Sequence, residues 1–423
     1  MDRDLDDFTI VVTISMGDDA ATADSPTTTI AARAADSAVY ASKRNLYLTQ
    51  TEWAYGGDDE SETYYRTVVV KLALDGMAVT YETSFAAPGR LLNQFSLSES
   101  AVDGTFRVAT TARSPSGGWA DTSNSVYVFD AGGTRVGALT GLAPGESIMS
   151  CRFTATRAYL VTFVRTDPLF VISLDDPTNP YVLGELKIPG YSAYLHPINA
   201  THVIGVGRDA DEDGNERGLQ FSIFDVSDEL NPRQVAVEIL GDRGSSSEAL
   251  SEHKAFQLWK APELASDGVD RTRGLFAIPA EIASLARTAE IYPDDDYRTN
   301  SRWASGLAVF QGLVLYDETL SPAGNVTHHG PGFYDFEEVN GYMRTYKNSR
   351  ESGAHVTRSL RRGDALYTFS DNAVRKTSLD GRGLIGEADL AAAFNFSALT
   401  DDGDAGSYYG YYGYGIGGWV DRE

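Results

Sequence analysis

One repeated unit constrains the fold of this chain more than any other feature of its sequence. Residues 169–180 and residues 221–232 each contain a short apolar run and an Asp-rich turn that closes on Asn-Pro. A second apolar run follows each turn, at residues 182–188 and 235–240. The two copies lie about 50 residues apart, a period typical of radial arrays of short strands. The spacing therefore predicts one small unit of strands that is repeated around an axis.

Strand patterns of the same kind run through most of the chain. Short runs rich in β-branched residues are bounded by Gly, Asp and Asn, which is typical of strands joined by tight turns. The runs fall into groups of about four strands, at residues 38–83, 93–139, 148–188, 193–240, 255–316 and 356–390. Another strand pair is predicted within residues 8–32. The pattern predicts an all-β β-propeller of seven four-stranded blades, with six or eight blades as alternatives.

The domain organisation follows from the same groups. Residues 1–400 are predicted to form a single propeller domain, with an insertion around residues 281–304 that starts with a short helix at 281–288. Half a blade at the N-terminus fits a ring that closes with strands from both chain ends. Residues 401–423 form a Tyr/Gly-rich tail. The composition of this tail allows two interpretations, a disordered extension or a segment that lies across the ring.

Composition and charge exclude several classes of function. The net charge of −25 argues against binding to nucleic acid or to anionic lipid. The single cysteine, Cys151, cannot form an intrachain disulfide and is predicted to be a buried core residue. No apolar run reaches 18 residues, so no transmembrane segment is predicted. The acidic start of the chain, Met1-Asp-Arg-Asp, does not have the pattern of an export signal.

The best candidate metal site is an acidic loop. Asp209, Asp211 and Asp213 alternate, a glycine stands at the sixth position, and Asn215 offers a further oxygen. This spacing is typical of loops that wrap oxygen ligands around Ca²⁺. The twelfth position, usually a bidentate Glu, is Gln220, so the pattern is incomplete. The alternative is an acidic hairpin tip, where Asp and Gly are favoured by turn geometry alone.

Four polar residues are candidates for a site in the central channel. His196, Glu248, His253 and Lys254 lie on or just before the first strands of predicted blades. First strands line the channel of a propeller, so these side chains are expected to converge there. Glu248 and His253 have the residue types of an acid–base pair. The alternative is that they hydrogen-bond to neighbouring blades and fix the register of the sheets.

Several longer strings resemble a known family. Residues 91–96 (Leu-Leu-Asn-Gln-Phe-Ser), 106–111 (Phe-Arg-Val-Ala-Thr-Thr), 158–163 (Ala-Tyr-Leu-Val-Thr-Phe) and 184–190 (Gly-Glu-Leu-Lys-Ile-Pro-Gly) carry the resemblance. They resemble secreted bacterial and archaeal proteins with a C-terminal β-propeller domain, a family distantly similar to WD40 propellers. The resemblance implies an extracellular or cell-surface protein. It implies no catalytic residues.

These observations predict a binding scaffold that recognises a protein or glycan partner at a propeller face. Two alternatives remain open. One is a metal-dependent hydrolase with its site at the channel. The other is a structural or adhesive surface component that self-associates through the Tyr/Gly-rich tail.

Overall fold

The protein is described by a computed structural model. The structure describes residues 9–11, 30–32, 38–53, 65–76, 78–113, 122–163, 166–211, 213–260, 274–295, 298, 304–329, 336–339, 342–345, 354–363, 365–378 and 384–389. Antiparallel strands dominate these residues, which confirms the prediction of an all-β chain. The C-terminal tail of residues 401–423 lies outside the described residues.

The described strands form six four-stranded antiparallel sheets and two separate strand pairs. The N-terminal pair is β1 (Thr9–Val11) and β2 (Ile30–Ala32). Sheet 1 contains β3 (Val39–Ala41), β4 (Asn45–Trp53), β5 (Tyr65–Asp75) and β6 (Ala78–Pro88). Sheet 2 contains β7 (Leu97–Glu99), β8 (Phe106–Arg113), β9 (Thr122–Phe129) and β10 (Arg135–Leu142). Sheet 3 contains β11 (Ser147–Phe153), β12 (Arg157–Phe163), β13 (Thr166–Ser173) and β14 (Tyr181–Pro189).

The remaining strands continue the series. Sheet 4 contains β15 (Tyr191–Pro197), β16 (His202–Ala210), β17 (Glu216–Asp225) and β18 (Arg233–Leu240). Sheet 5 contains β19 (Gln257–Trp259), β20 (Leu275–Ser284), β21 (Leu307–Asp317) and β22 (Pro322–Val326). The second pair is β23 (Phe336–Val339) and β24 (Tyr342–Thr345). Sheet 6 contains β25 (Arg358–Arg362), β26 (Ala365–Phe369), β27 (Ala373–Ser378) and β28 (Leu384–Asp389).

Each four-stranded sheet has its strands side by side in chain order, which is the up-and-down order of a propeller blade. The six sheets correspond to the six groups of strands predicted from the sequence. The count of seven blades stays a prediction, because the described residues show six complete sheets and two pairs. The pair β23–β24 was not predicted.

The helix in the predicted insertion begins later than expected. The sequence predicts a helix at residues 281–288, whereas the helix spans Leu285–Ile291. Residues up to Ser284 belong to β20 instead, because Ser284 pairs with Leu307 of β21 and Glu281 forms a bridge to Ser246. Long-range strand pairing thus overrides the local helical preference. The Ser284 hydroxyl then caps the helix by accepting a hydrogen bond from the N–H of Arg287.

The hydrophobic core lies between consecutive sheets rather than inside any one of them. Phe221 of sheet 4 is fully buried, and its ring lies 5.8 Å from Phe276 and 5.3 Å from Tyr316, both in sheet 5. A further cluster joins sheets 2 and 3 and includes Cys151, which is buried as predicted. Truncating a buried Phe to Ala costs about 3–5 kcal/mol. Most of the stability of each sheet therefore depends on its neighbours.

The repeated Asp-rich turns have a structural role that the sequence did not disclose. In sheet 3 the turn packs against Gly137 on the outer strand of sheet 2, where a Cβ atom would overlap the carbonyl oxygen of Pro177. In sheet 4 the corresponding turn packs against Gly184 of sheet 3, where a Cβ atom would lie 2.8 Å from the carbonyl oxygen of Leu230. The turn of one sheet thus rests on a glycine of the preceding sheet, which explains why both features recur together.

Candidate functional site

Three aromatic rings from different sheets meet near the first strands. Phe95 belongs to the 3₁₀ helix Gln94–Ser96 before β7, and Asn93 caps this helix by accepting the N–H of Phe95 at 2.9 Å. The ring centroid of Phe95 lies 5.6 Å from that of Tyr194 on β15, and Tyr194 lies 5.2 Å from Phe256, just before β19. We call Phe95, Tyr194 and Phe256 the axial plug. Because they come from sheets 2, 4 and 5, their contact indicates that the first strands surround a common axis.

His196, one of the predicted channel residues, lies beside the axial plug. Its ring centroid is 5.0 Å from that of Phe256, and its Nδ1 forms a hydrogen bond with the Tyr194 hydroxyl at 3.0 Å. Burial, together with the charges of Arg152 and Lys260, lowers the pKa of His196 to about 4. His196 is therefore neutral at pH 7 and acts there as a hydrogen-bonding group rather than as a cation.

His253 also lies beside the axial plug and contacts residues of the 3₁₀ helix that precedes β7. Gln94 Nε2 donates to His253 Nδ1 at 2.9 Å, and the ring lies edge-on to Phe95 at 4.9 Å between centroids. The carboxylate nearest to His253 is Glu252, at 3.4 Å. Burial lowers the pKa of His253; the charge of Glu252 opposes this effect, and the charges of Lys254, Arg152 and Arg358 add to it. The contact with Gln94 brings residues far apart in the sequence to one site.

Glu248 and Lys254 occupy different surroundings from those of His253. Glu248 begins the 3₁₀ helix Glu248–Leu250, and burial raises the pKa of its carboxyl group. The charges that act on Glu248 belong to His355, Arg358 and Glu281, so the structure pairs His253 with Glu252 rather than with Glu248. Lys254 is exposed, and its backbone N–H donates to Glu252 at 3.1 Å.

Cations that the sequence analysis did not single out complete this site. The guanidinium of Arg152 on β11 lies 4.5 Å above the ring of Phe95. Arg358 of sheet 6 lies 3.6 Å from Glu252, and the charge of Lys260 acts on His196. Among the described residues, Arg152, Lys254 and Lys260 form no ion pair, although the chain has 60 acidic residues. The polar residues around the axial plug are called the axial surface. They are Gln94, Arg152, His196, Glu252, His253, Lys254, Lys260 and Arg358.

A cavity lies next to the axial surface. Its volume is about 490 Å³, within the range of small-ligand sites. Its wall includes Thr51 of sheet 1, Arg90 between sheets 1 and 2, and the amide side chains of Asn93 and Gln94. Gln94 also contacts His253, so the cavity and the axial surface share one wall residue.

The predicted calcium loop joins β16 to β17. Asp211 Oδ1 accepts the backbone N–H groups of Asp213 at 3.0 Å and Asn215 at 2.9 Å, and the Asn215 amide also donates to Asp211. Asp209 is buried and forms an ion pair with Arg217 at 2.9 Å. Burial raises the pKa of Asp209, and Arg217 opposes this effect. The carboxylates of Asp209 and Asp211 thus have protein partners.

The same turn occurs at two other places in the chain. Asp130 Oδ1 accepts the N–H groups two and four residues later at 2.9 and 2.8 Å, and Asp317 Oδ1 does so at 2.8 and 3.0 Å. In all three turns the residue between these two positions, three residues after the Asp, has positive φ: Gly133, Gly214 and Leu320. Turn geometry therefore explains part of the acidic spacing, and calcium binding stays a prediction.

Metal-ligating side chains are not grouped in the described part of the chain, the loop with Asp209, Asp211 and Asp213 included. No group of three or more His, Cys, Asp or Glu side chains suited to a metal ion occurs among the described residues. The alternative of a metal-dependent hydrolase therefore stays a prediction without an assigned metal site.

The comparisons with known proteins agree with this architecture. Residues 2–381 match the family described as beta propeller domain, and the chain belongs to this family. The β-propeller fold supports a general role as an interaction scaffold. No helix within the described ranges has both the length and the apolar character needed to cross a membrane.

Two relatives come from archaea. An uncharacterized protein of Methanocaldococcus jannaschii is 38% identical over 272 residues, which cover 62% of this chain and 39% of that protein. An uncharacterized protein of Archaeoglobus fulgidus is 42% identical over 195 residues, which cover 46% of this chain and 27% of that protein. The chain thus spans well under half the length of the relatives it matches.

Similar solved structures include other propellers. The C-terminal WD40 domain of Sif2 is 10% identical with a TM-score of 0.37, and the match covers 82% of this chain and 70% of that domain. The β-propeller domain of the trilobed protease from Pyrococcus furiosus is 10% identical with a TM-score of 0.34, and the match covers 84% and 82% of the two chains.

Proposed function

We propose that this protein is an exported or cell-surface β-propeller that binds a protein or glycan partner at its axial surface. The observation that carries the proposal is the convergence of polar residues from several sheets beside a closed aromatic plug. Gln94 comes from sheet 2, Arg152 from sheet 3, His196 from sheet 4, and Arg358 from sheet 6. Aromatic and Arg side chains are enriched where proteins bind partners.

The cations of the axial surface give the proposal its direct test. Replacing both Arg152 and Lys260 with Gln is expected to weaken binding of the partner at least roughly tenfold, because each lost charged contact is worth about 1.5–3 kcal/mol. The measurement is surface plasmon resonance of purified wild type and variant on immobilised glycans and extracellular polypeptides, which first identifies a partner and then compares the two proteins.

The matched control is Arg233→Gln, which removes an exposed arginine from β18. Arg233 forms an ion pair with Asp225 at 2.9 Å. It lies on the fourth strand of sheet 4, whereas the axial surface is formed near the first strands. This variant is expected to bind as wild type does. A partner that binds equally well to the wild type and to the double variant contradicts the proposal. Labelling of intact cells with a membrane-impermeant reagent tests the cell-surface location.

Calcium binding at the β16–β17 loop is a separate part of the proposal. If Asp209, Asp211, Asp213 and Asn215 bind Ca²⁺, a chelator is expected to lower the melting temperature of the wild type. Asp211→Ala is then expected to remove this sensitivity, because Asp211 supplies the central carboxylate. Melting curves with EGTA and with added Ca²⁺ provide the measurement.

Asp130→Ala is the control for the loop, because Asp130 makes the same two turn hydrogen bonds in sheet 2. Both variants lose these bonds, so both are expected to be destabilised by about 1 kcal/mol irrespective of metal. Only Asp211→Ala is expected to lose the response to chelator. An unchanged wild-type melting temperature in the presence of EGTA would contradict calcium binding at this loop.

A further inference from the structure

The cavity between sheets 1 and 2 contains a cation that has no carboxylate partner among the residues that the structure describes. The backbone of Arg90 is fixed by hydrogen bonds to Thr111 in both directions, at 2.8 and 2.9 Å. Its guanidinium lies 3.7 Å above the ring of Tyr65. Arg90 is exposed and forms no ion pair with any residue that the structure describes. Its five N–H donors are therefore available to an anion, and its position is set before the anion arrives.

The remaining polar wall of the cavity offers hydrogen bonds to neutral groups. The oxygen of the Asn93 side chain is used by the N–H of Phe95, and the nitrogen of the Gln94 side chain is used by His253. This leaves the Asn93 amide nitrogen as a donor and the Gln94 amide oxygen as an acceptor. Thr51 adds a hydroxyl group that can do both. The wall thus offers both donors and acceptors to a ligand.

An aromatic side chain, Trp53, lies near the cavity without being one of the residues that line it. Trp53 follows Thr51 by two residues on β4, so both side chains lie on the same face of the strand. The indole is 47% exposed, and its ring lies edge-on to Tyr65 at 4.8 Å between centroids. Tyr65 therefore contacts Trp53 and Arg90 at once. An exposed Trp next to a polar cavity presents an apolar face to a ligand ring.

We propose that this cavity binds the uronic acid units of an acidic glycan. The proposal rests on the proposed function and names the ligand class for it. A pyranose ring with a carboxylate has an apolar face for Trp53, hydroxyl groups for Asn93 and Gln94, and a carboxylate for Arg90. An acidic peptide side chain offers the carboxylate alone. Because Gln94 also contacts His253, a chain of such sugars passes from the cavity to the cations of the axial surface.

The test uses isothermal titration calorimetry with short oligomers of galacturonate, glucuronate and mannuronate. Each oligomer is compared with its methyl ester, which keeps the ring and removes the charge. The wild type is expected to bind at least one free acid more than tenfold tighter than the ester. Arg90→Gln is expected to lose this preference, and Trp53→Ala is expected to weaken binding of acid and ester alike. An oligomer of glutamate serves as the peptide competitor.

Arg135→Gln is the matched control, because Arg135 also lies over a tyrosine, Tyr127, at 5.7 Å, but outside the cavity. It is expected to leave the affinity for the acid unchanged. Equal binding of acid and ester, a peptide that binds as tightly as the sugars, or an unaffected Arg90→Gln each overturn the proposal. A neutral or protein partner that is sensitive to Arg152 and Lys260 but not to Arg90 overturns the glycan assignment alone and leaves the proposed function intact.

Discussion

Gly207→Ala is expected to destabilise the protein by at least about 3 kcal/mol, the upper end of the range for overpacked cores. Gly207 lies on β16 and pairs with Ser192 of β15. A Cβ atom at this position would overlap the carbonyl oxygen of Tyr191 and lie 2.7 Å from the Cα of Ser192. Both obstacles are backbone atoms, so a side-chain rotation cannot relieve the clash. The first strand of sheet 4 would have to separate from the second.

The effect reaches the site as well as the fold, since β15 also carries Tyr194 of the axial plug and His196. Chemical unfolding followed by circular dichroism measures the change in free energy. The control is Gly386→Ala on β28, where a Cβ atom would have no neighbour within 4 Å. This variant is expected to stay within about 0.5 kcal/mol of the wild type. Equal denaturant midpoints for Gly207→Ala and Gly386→Ala would contradict the close approach of the β15 backbone to Gly207.

The strands were predictable where burial alone explains a run of apolar residues. The apolar runs of β13 and β17 were predicted from the repeat, and their ends were not. In β13, Leu169, Phe170 and Val171 are all buried, so both faces of the strand are apolar. Without alternation, the pattern cannot show where pairing ends, and here pairing continues to Thr166 opposite Pro189. The hydrogen-bonding partner, rather than the strand itself, determines the boundary.

The candidate site was predictable in part for the same reason. Position on or before a first strand led to the prediction that His196 and His253 lie near the axis, and both rings contact the axial plug. The same rule applied to Arg152 and Gln94, which the sequence analysis did not use. No rule within the sequence relates Phe95 to Tyr194, or Gln94 to His253, because these contacts depend on how whole sheets are arranged. The same holds for Gly137 and Gly184, which look like ordinary strand glycines until the turns that rest on them are seen.

A second large effect is expected from acid. His328 follows β22 and is buried, with Nδ1 2.8 Å from the Ser370 hydroxyl and Nε2 2.8 Å from the Thr368 hydroxyl of sheet 6. Burial, together with the charges of Arg375 and His329, lowers the pKa of His328 from 6.5 to about 4. His329 is also buried, and its pKa is lowered to about 4 by burial and by the charges of His355 and Arg375.

The sign of the effect follows from proton binding. The unfolded chain takes up a proton at each of these histidines near pH 6.5, whereas the folded chain does so only near pH 4. The free energy of unfolding is therefore independent of these groups above pH 6.5 and falls as the pH is lowered toward 4. The maximal slope is about 1.4 kcal/mol per pH unit for each histidine. Urea unfolding at several pH values between 8 and 5 measures this slope.

His328→Gln separates this effect from general acid denaturation. Gln keeps a donor and an acceptor for the hydroxyls of Ser370 and Thr368 but does not titrate. The variant is expected to be less stable than the wild type at pH 8, where the histidine fits better. Below pH 6.5, its free energy of unfolding is expected to change less steeply with pH, by about 1.4 kcal/mol per pH unit, because one proton fewer is taken up on unfolding. Carboxyl groups titrate mainly at lower pH, so the interval from 6.5 to 5 reports the histidines. A variant with the wild-type slope would mean that His328 does not link sheets 5 and 6 as a neutral group.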